Sequence, residues 1–206
     1  MTHGAIVDPV LRHSTYLDVW GAALAAGELA SAGTLRDVSR AARSAPPPAH
    51  EPLASDLLLD GQALLVADGL AAAAPTLREA VRAFTGDETV LRWGVAATAA
   101  AALWDMEGFD AVISRQLQLA RHAGALAILA TALQGAGMVV TWMGDFRKAA
   151  ALTAEADAVC GATGVQVSAS GGMLLAAFRG RETEASALLE ATVRNATAAG
   201  EGLGIQ

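Results

Sequence analysis

The chain runs to 206 residues, with 53% apolar side chains but only 4% aromatic ones, and carries a formal charge of −7. That length can bury a core, and an apolar fraction dominated by alanine favours helices that approach one another closely. Acidic charge prevails in both halves, with 7 Lys/Arg against 11 Asp/Glu over residues 1–100 and 7 against 10 over 101–206, so no basic stripe is on offer to neutralise phosphates and no direct nucleic-acid contact is expected of this segment.

Taken in chain order, Asp8-Pro9 opens a first helix, with Asp as cap and Pro at the first helical position, running to about Gly27. Gly33-Thr34 makes a turn, and a short helix follows to about Ser44. Pro46, Pro47 and Pro48 break the chain and Pro52 closes that loop. The next helix spans roughly Leu53 to Gly69. Thr76 and Glu79 then fit a capping box just after Pro75, which predicts a short helix from there to about Phe84. Thr85, Gly86 and Asp87 read as a turn. Beyond it the pattern predicts helices at about 88–105, 109–123, 125–142, 145–161, 168–179 and 181–199, the last stopped by Gly200. β-branched residues never alternate over a strand-length run, so the chain reads as all-α.

Gly108, Gly144 and Gly180 recur at a step of 36 residues, each after an Ala-rich stretch and before a charged, helix-compatible one. Leu103, Val139 and Leu175 keep the same step as large apolar positions. A fixed period in the mid-thirties with one turn glycine per unit is the mark of stacked helical hairpins. The expected architecture is a single tetratricopeptide-like α-solenoid of about five antiparallel helix pairs over residues 1–206, in a right-handed stack, with turns near 33, 72, 108, 144 and 180. A solenoid usually ends in a polar capping helix, whereas this chain stops at EGLGIQ. It therefore reads as a piece of a longer array. The open face of the last helix, with Leu188, Leu189 and Val193, would then favour a homodimer through the C-terminal helix pair.

Sites for chemistry are hard to find in these residues. No phosphate-binding loop, dinucleotide fingerprint, HExxH or Cys/His cluster occurs, so neither catalytic residues nor a metal or cofactor is expected. His3, His13, His50 and His122 are scattered. Asp105, Glu107 and Asp110 gather near Gly108, where carboxylates serve more often as helix caps than as an acid/base couple. Asn195-Ala196-Thr197 matches a glycosylation pattern but falls within a predicted helix. The single cysteine, Cys160, cannot form an intrachain disulfide, which fits a reducing cytosol. The uncharged run from Ala123 to Gly144 is long enough to span a membrane, yet its Ala/Gly richness, Thr131, Gln134 and Thr141, and its place in the repeat point to a buried helix. Trp93, Trp104 and Trp142 are among the bulkiest groups of an alanine-rich chain. They either pack between repeats or line a groove for an effector or partner.

Several segments together resemble a known family: YLDVWGAALAAGELA, DLLLDGQALLVADGLAAAAPTLREAV, LRWGVAATAAAALWD, LARHAGALAILATAL, GDFRKAAALTAEADAVCGATG and LLAAFRGRETEASALLEATVRNATAAGEGLG. They are similar to the helical-repeat region of large LuxR-type transcriptional regulators of high-GC bacteria, from about Asp8 to Gln206. Those proteins join a signalling ATPase, a long tetratricopeptide-like array and a C-terminal helix-turn-helix. The resemblance implies a cytoplasmic middle module that senses a small effector or protein partner and relays its state. Neither the phosphate loop nor the basic recognition helix is among these residues, so ATP hydrolysis and DNA binding carry over to none of them. The competing expectation is a free-standing scaffold that binds a peptide or partner domain.

Overall fold

The computed structural model describes residues 9–26, 34–46, 50–92 and 95–199. Among them stand ten α-helices and no strand: α1 (Pro9–Ala26), α2 (Thr34–Ser44), α3 (Ala54–Asp68), α4 (Leu70–Gly86), α5 (Ala96–Ala102), α6 (Met106–Ala123), α7 (Leu126–Trp142), α8 (Phe146–Thr163), α9 (Ser170–Phe178) and α10 (Glu182–Ala199), with a 3₁₀ turn at Glu88–Leu91 between α4 and α5. The chain is all-α. The substantial contacts join helices that are neighbours in the chain or next but one, as in α1 with α3, α4 with α6 and α7 with α9.

Small residues set how closely the helices approach. In α1, Leu17, Trp20 and Ala23 form one buried stripe, and the Trp20 indole Nε1 donates to Ser39 Oγ of α2 at 3.3 Å. Gly61 of α3 lies so near α4 that a Cβ there would sit 2.6 Å from Leu77 Cδ2. α5 is nearly pure alanine, with Ala96, Ala97, Ala99 and Ala100 buried. It is tied to α3 through Gln62 Nε2, which donates to Thr98 Oγ1 at 2.7 Å. The apolar core runs from Leu17 to Ala156, and a smaller cluster of Val140, Ala149 and Leu175 joins α7, α8 and α9. There the buried Gln134 side-chain oxygen Oε1 accepts from the amides of Gly171 and Gly172 at 3.0 and 3.4 Å.

Three expectations are corrected. First, α4 begins at Leu70 and carries Pro75 inside it, so Thr76 is an interior residue and not a cap. Five helix-forming residues, LAAAA, precede the proline, and Ala73, Leu77, Ala80, Val81 and Phe84 bury one face. That burial outweighs the loss of one helical hydrogen bond. The turn expected near residue 72 accordingly lies at Gly69, whose φ is 86°. Second, no continuous helix spans 88–105. Asp87 caps a 3₁₀ turn by accepting from Thr89 N at 2.7 Å, and Thr89 and Val90 are weak helix formers.

Third, Gly108 is not a turn residue. It is the third residue of α6, where its amide donates to the capping carboxylate of Asp105 at 2.8 Å. A Cβ there would strike Asp105 and would sit 2.7 Å from Val81 Cγ1, so the glycine serves close packing. The turn equivalent to Gly144 and Gly180 is at Trp104. All three have positive φ, at 53°, 83° and 69° for Trp104, Gly144 and Gly180. The amides of Leu103, Met143 and Arg179 reach back four residues, to Ala99, Val139 and Leu175; those of Asp105, Asp145 and Arg181 reach back five, to Ala100, Val140 and Ala176. These are three copies of one left-handed helix stop. Their spacing is 40 residues (104 to 144) and then 36 (144 to 180), because α9 has 9 residues where α7 has 17, a shortening partly offset by the longer link before it, 164–169 against 124–125. Gly124 and Gly164, also left-handed, end α6 and α8 with the same 40-residue step. The constant 36 at Gly108 joined positions that are not equivalent.

Among the described residues no helix is long and apolar enough to cross a membrane. α7 is buried along much of its length instead, from Leu129 to Thr141.

Candidate functional site, an exposed aromatic edge

The repeated stop places the C-terminal ends of α5, α7 and α9 side by side, and each end carries a ring. Trp142 and Phe178 each lie two residues before their turn glycine. The matching position before Trp104 is Ala102, but Trp104 supplies a ring from the turn position itself. The three rings form an edge-to-face series: Trp104 to Trp142 has centroids 5.9 Å apart at 90°, and Trp142 to Phe178 has centroids 5.4 Å apart at 73°. Phe146, which opens α8, extends the series with a centroid 6.3 Å from Phe178.

These rings are not core. Trp104 is 71% exposed, Trp142 47%, Phe178 46% and the adjoining Met143 63%. Only Trp20 among the described tryptophans is buried, so packing in the core accounts for it alone. Trp93, the third candidate for a groove, lies outside the described residues.

Two apolar clefts open along this edge. One, of about 250 Å³, is bounded by α5, α6 and α7 through Trp104, Met106, Phe109, Met138 and Trp142. The other, of about 440 Å³, lies between α7, α9 and α10 and includes Met138, Met173, Leu174 and Leu189. Met138 is a wall of both. Methionines and large rings make such a lining adaptable in shape.

Charge is uneven along the edge. Near Trp104 stand Asp105 and Glu107, the first engaged as the α6 cap. Near Trp142 and Phe178 both signs are present, with Asp145, Glu182 and Glu184 among Arg147, Lys148, Arg179 and Arg181. Arg179 is committed, donating to the Phe146 carbonyl at 2.8 Å with its guanidinium 6.0 Å from that ring's centroid. Arg181 pairs with Glu184 at 3.2 Å. Arg147 and Lys148, in the first turn of α8, are exposed and make no ion pair among the described residues.

The remaining sequence candidates have local roles. Asp105 caps α6, as Asp145, which the sequence reading did not single out, caps α8 by accepting from Lys148 N at 3.0 Å. His122 is exposed in the last turn of α6. Asn195 lies in α10 and bonds Gln166 at 3.2 Å. Cys160 is half-buried in α8. Among the described residues no group of three or more His, Cys, Asp or Glu side chains is placed to hold a metal ion.

One cluster escaped sequence reasoning. Arg36, Arg40 and Arg43, at i, i+4 and i+7 on α2, line a cleft of about 610 Å³ with Ser44 and Val66. Two of them face carboxylates, Arg40 with Asp37 and Arg43 with Asp68, each at 2.9 Å. The helical spacing was visible in the sequence, but net charge counted by halves hides a local stripe of three.

Compared with known proteins, the chain matches no family model, no curated protein and no solved structure.

Proposed function

We propose that the chain is a tetratricopeptide-like α-solenoid of about five antiparallel helix pairs that works as a cytoplasmic sensor or protein-interaction module. In this reading it belongs to a LuxR-type regulator and relays partner binding to an ATPase and a DNA-binding domain carried elsewhere. The observation that carries the binding role is the ring series Trp104–Trp142–Phe178, exposed across three successive helix ends. Large rings left in water are enriched where proteins bind one another. The link to a regulator rests on the resemblance of the repeat segments. The test is the reading frame on either side: an upstream ATPase and a downstream helix-turn-helix support the regulator, and a frame holding the array alone favours the free-standing scaffold. In the intact regulator, Trp142→Ala should change transcriptional output while leaving the protein folded.

The homodimer belongs to the same proposal. Leu189 on α10 is 52% exposed, beside the less exposed Leu188 and Val193. Sedimentation should show a concentration-dependent dimer that Leu189→Glu shifts to monomer. A monomer at high concentration before any substitution would end the idea.

A further inference from the structure

Apart from the aromatic edge, and without resting on its reading, we infer that the cleft between α2 and α3 is a binding site for a small phosphorylated molecule carrying at least two phosphate groups. Among the described residues its lining is Arg36, Arg40, Arg43 and Ser44 of α2 with Val66 and Ala67 of α3. Three cations and no carboxylate therefore line the space, in a chain whose formal charge is −7. Its volume of about 610 Å³ falls within the roughly 300–1,000 Å³ of small-molecule sites.

The helix that carries the arginines is held from behind. Leu35 and Val38 pack against the core, Ser39 and Ala42 are buried, and Ser39 Oγ accepts from the Trp20 indole. Those contacts fix the rotation of α2, so its i, i+4 and i+7 positions present three guanidinium groups along one face. Each is a planar fork that matches two phosphate oxygens, which an ammonium group does not.

The existing partners leave the forks available. Arg36 is exposed and makes no hydrogen bond or ion pair among the described residues. Arg40 pairs with Asp37, but with side chains 73% and 66% exposed that is a solvated pair of the kind that contributes little, and its fork is free to turn. Arg43 meets Asp68 through Nη1, which leaves Nε and Nη2 as donors. With Asp37 and Asp68 counted, the cluster still keeps a net positive charge. Val66 and Ala67 give the organic part of the ligand an apolar wall. An extended polyanion such as DNA would instead run onto the acidic remainder of the chain.

The test is calorimetric titration of the full chain at low salt with inorganic phosphate, pyrophosphate and a nucleoside diphosphate. The nucleoside diphosphate should bind saturably, pyrophosphate more weakly and phosphate more weakly still. Arg36→Glu should weaken binding about tenfold or more, and since that side chain makes no polar contact, the melting curve should hold. Replacing all three arginines by lysine keeps the charge but removes the forks, and should also lower affinity. Arg147→Glu with Lys148→Glu, on α8, should leave binding unchanged. No binding of the nucleoside diphosphate, equal affinity for phosphate, or full affinity in the lysine variant overturns the inference. So do equal losses from the α2 and α8 variants, or competition by a short DNA duplex, either of which marks a general attraction for polyanions.

Discussion

Trp104 sets two costs against each other. A left-handed backbone disfavours an L side chain by about 1–2 kcal/mol, while its edge contact with Trp142 is worth about 0.5–1.5 kcal/mol, and less at 71% exposure. Trp104→Gly should therefore leave stability unchanged or raise it by up to about 1 kcal/mol, read by urea unfolding. A loss beyond about 1 kcal/mol would make the indole a structural residue. The sequence shows a bulky ring near a helix end, but not its exposure. In an alanine-rich chain a tryptophan reads as core, as Trp20 is, and the difference depends on whether the helix stops before the ring or runs past it. Gly108 misled for a related reason: a glycine that admits a neighbouring side chain and one that permits positive φ look alike in a sequence. Asp105 was plainer, because a carboxylate three residues before a free helical amide has one local use.

At the scale of elements, tertiary burial overrode local signals twice. Pro75 is exposed inside α4 and leaves the Ala71 carbonyl without its usual helical partner, yet the buried face from Ala73 to Phe84 keeps the helix intact. Pro75→Ala should restore that bond and raise stability by about 1–3 kcal/mol, a shift of several degrees in thermal melting. No change would mean that the helix had already relaxed around the ring. Between α7 and α9 the buried Gln134 side-chain oxygen serves two glycine amides. Gln134→Leu keeps the bulk but strands both donors, and should cost about 1–3 kcal/mol. Amide hydrogen exchange should rise first at Gly171 and Gly172, and uniform exchange across the chain would contradict that local clamp. Helix type and most boundaries were legible because alanine, capping Asp and turn Gly agree with one another from α6 onward. The 3₁₀ turn at Glu88–Leu91 was not, since it depends on Val90 reaching the core and on Gln116 Nε2 donating to its carbonyl at 3.4 Å.

For the whole molecule, contacts between near neighbours in the chain place successive helix ends on a common edge, and that edge holds rings in water. Binding should therefore be felt at Trp104 and Trp142 and not at Trp20, which is 2% exposed with its Nε1 donating to Ser39. Of the chain's four indole Nε1–H resonances, those of Trp20, Trp104 and Trp142 report this in one experiment: titration of the labelled chain with a peptide carrying two aromatic anchors, followed by heteronuclear NMR. The account predicts that the Trp104 and Trp142 signals move in proportion to bound peptide while the Trp20 signal stays in place. A peptide that leaves both outer indoles unmoved, or that shifts Trp20 as far as the others, would contradict it.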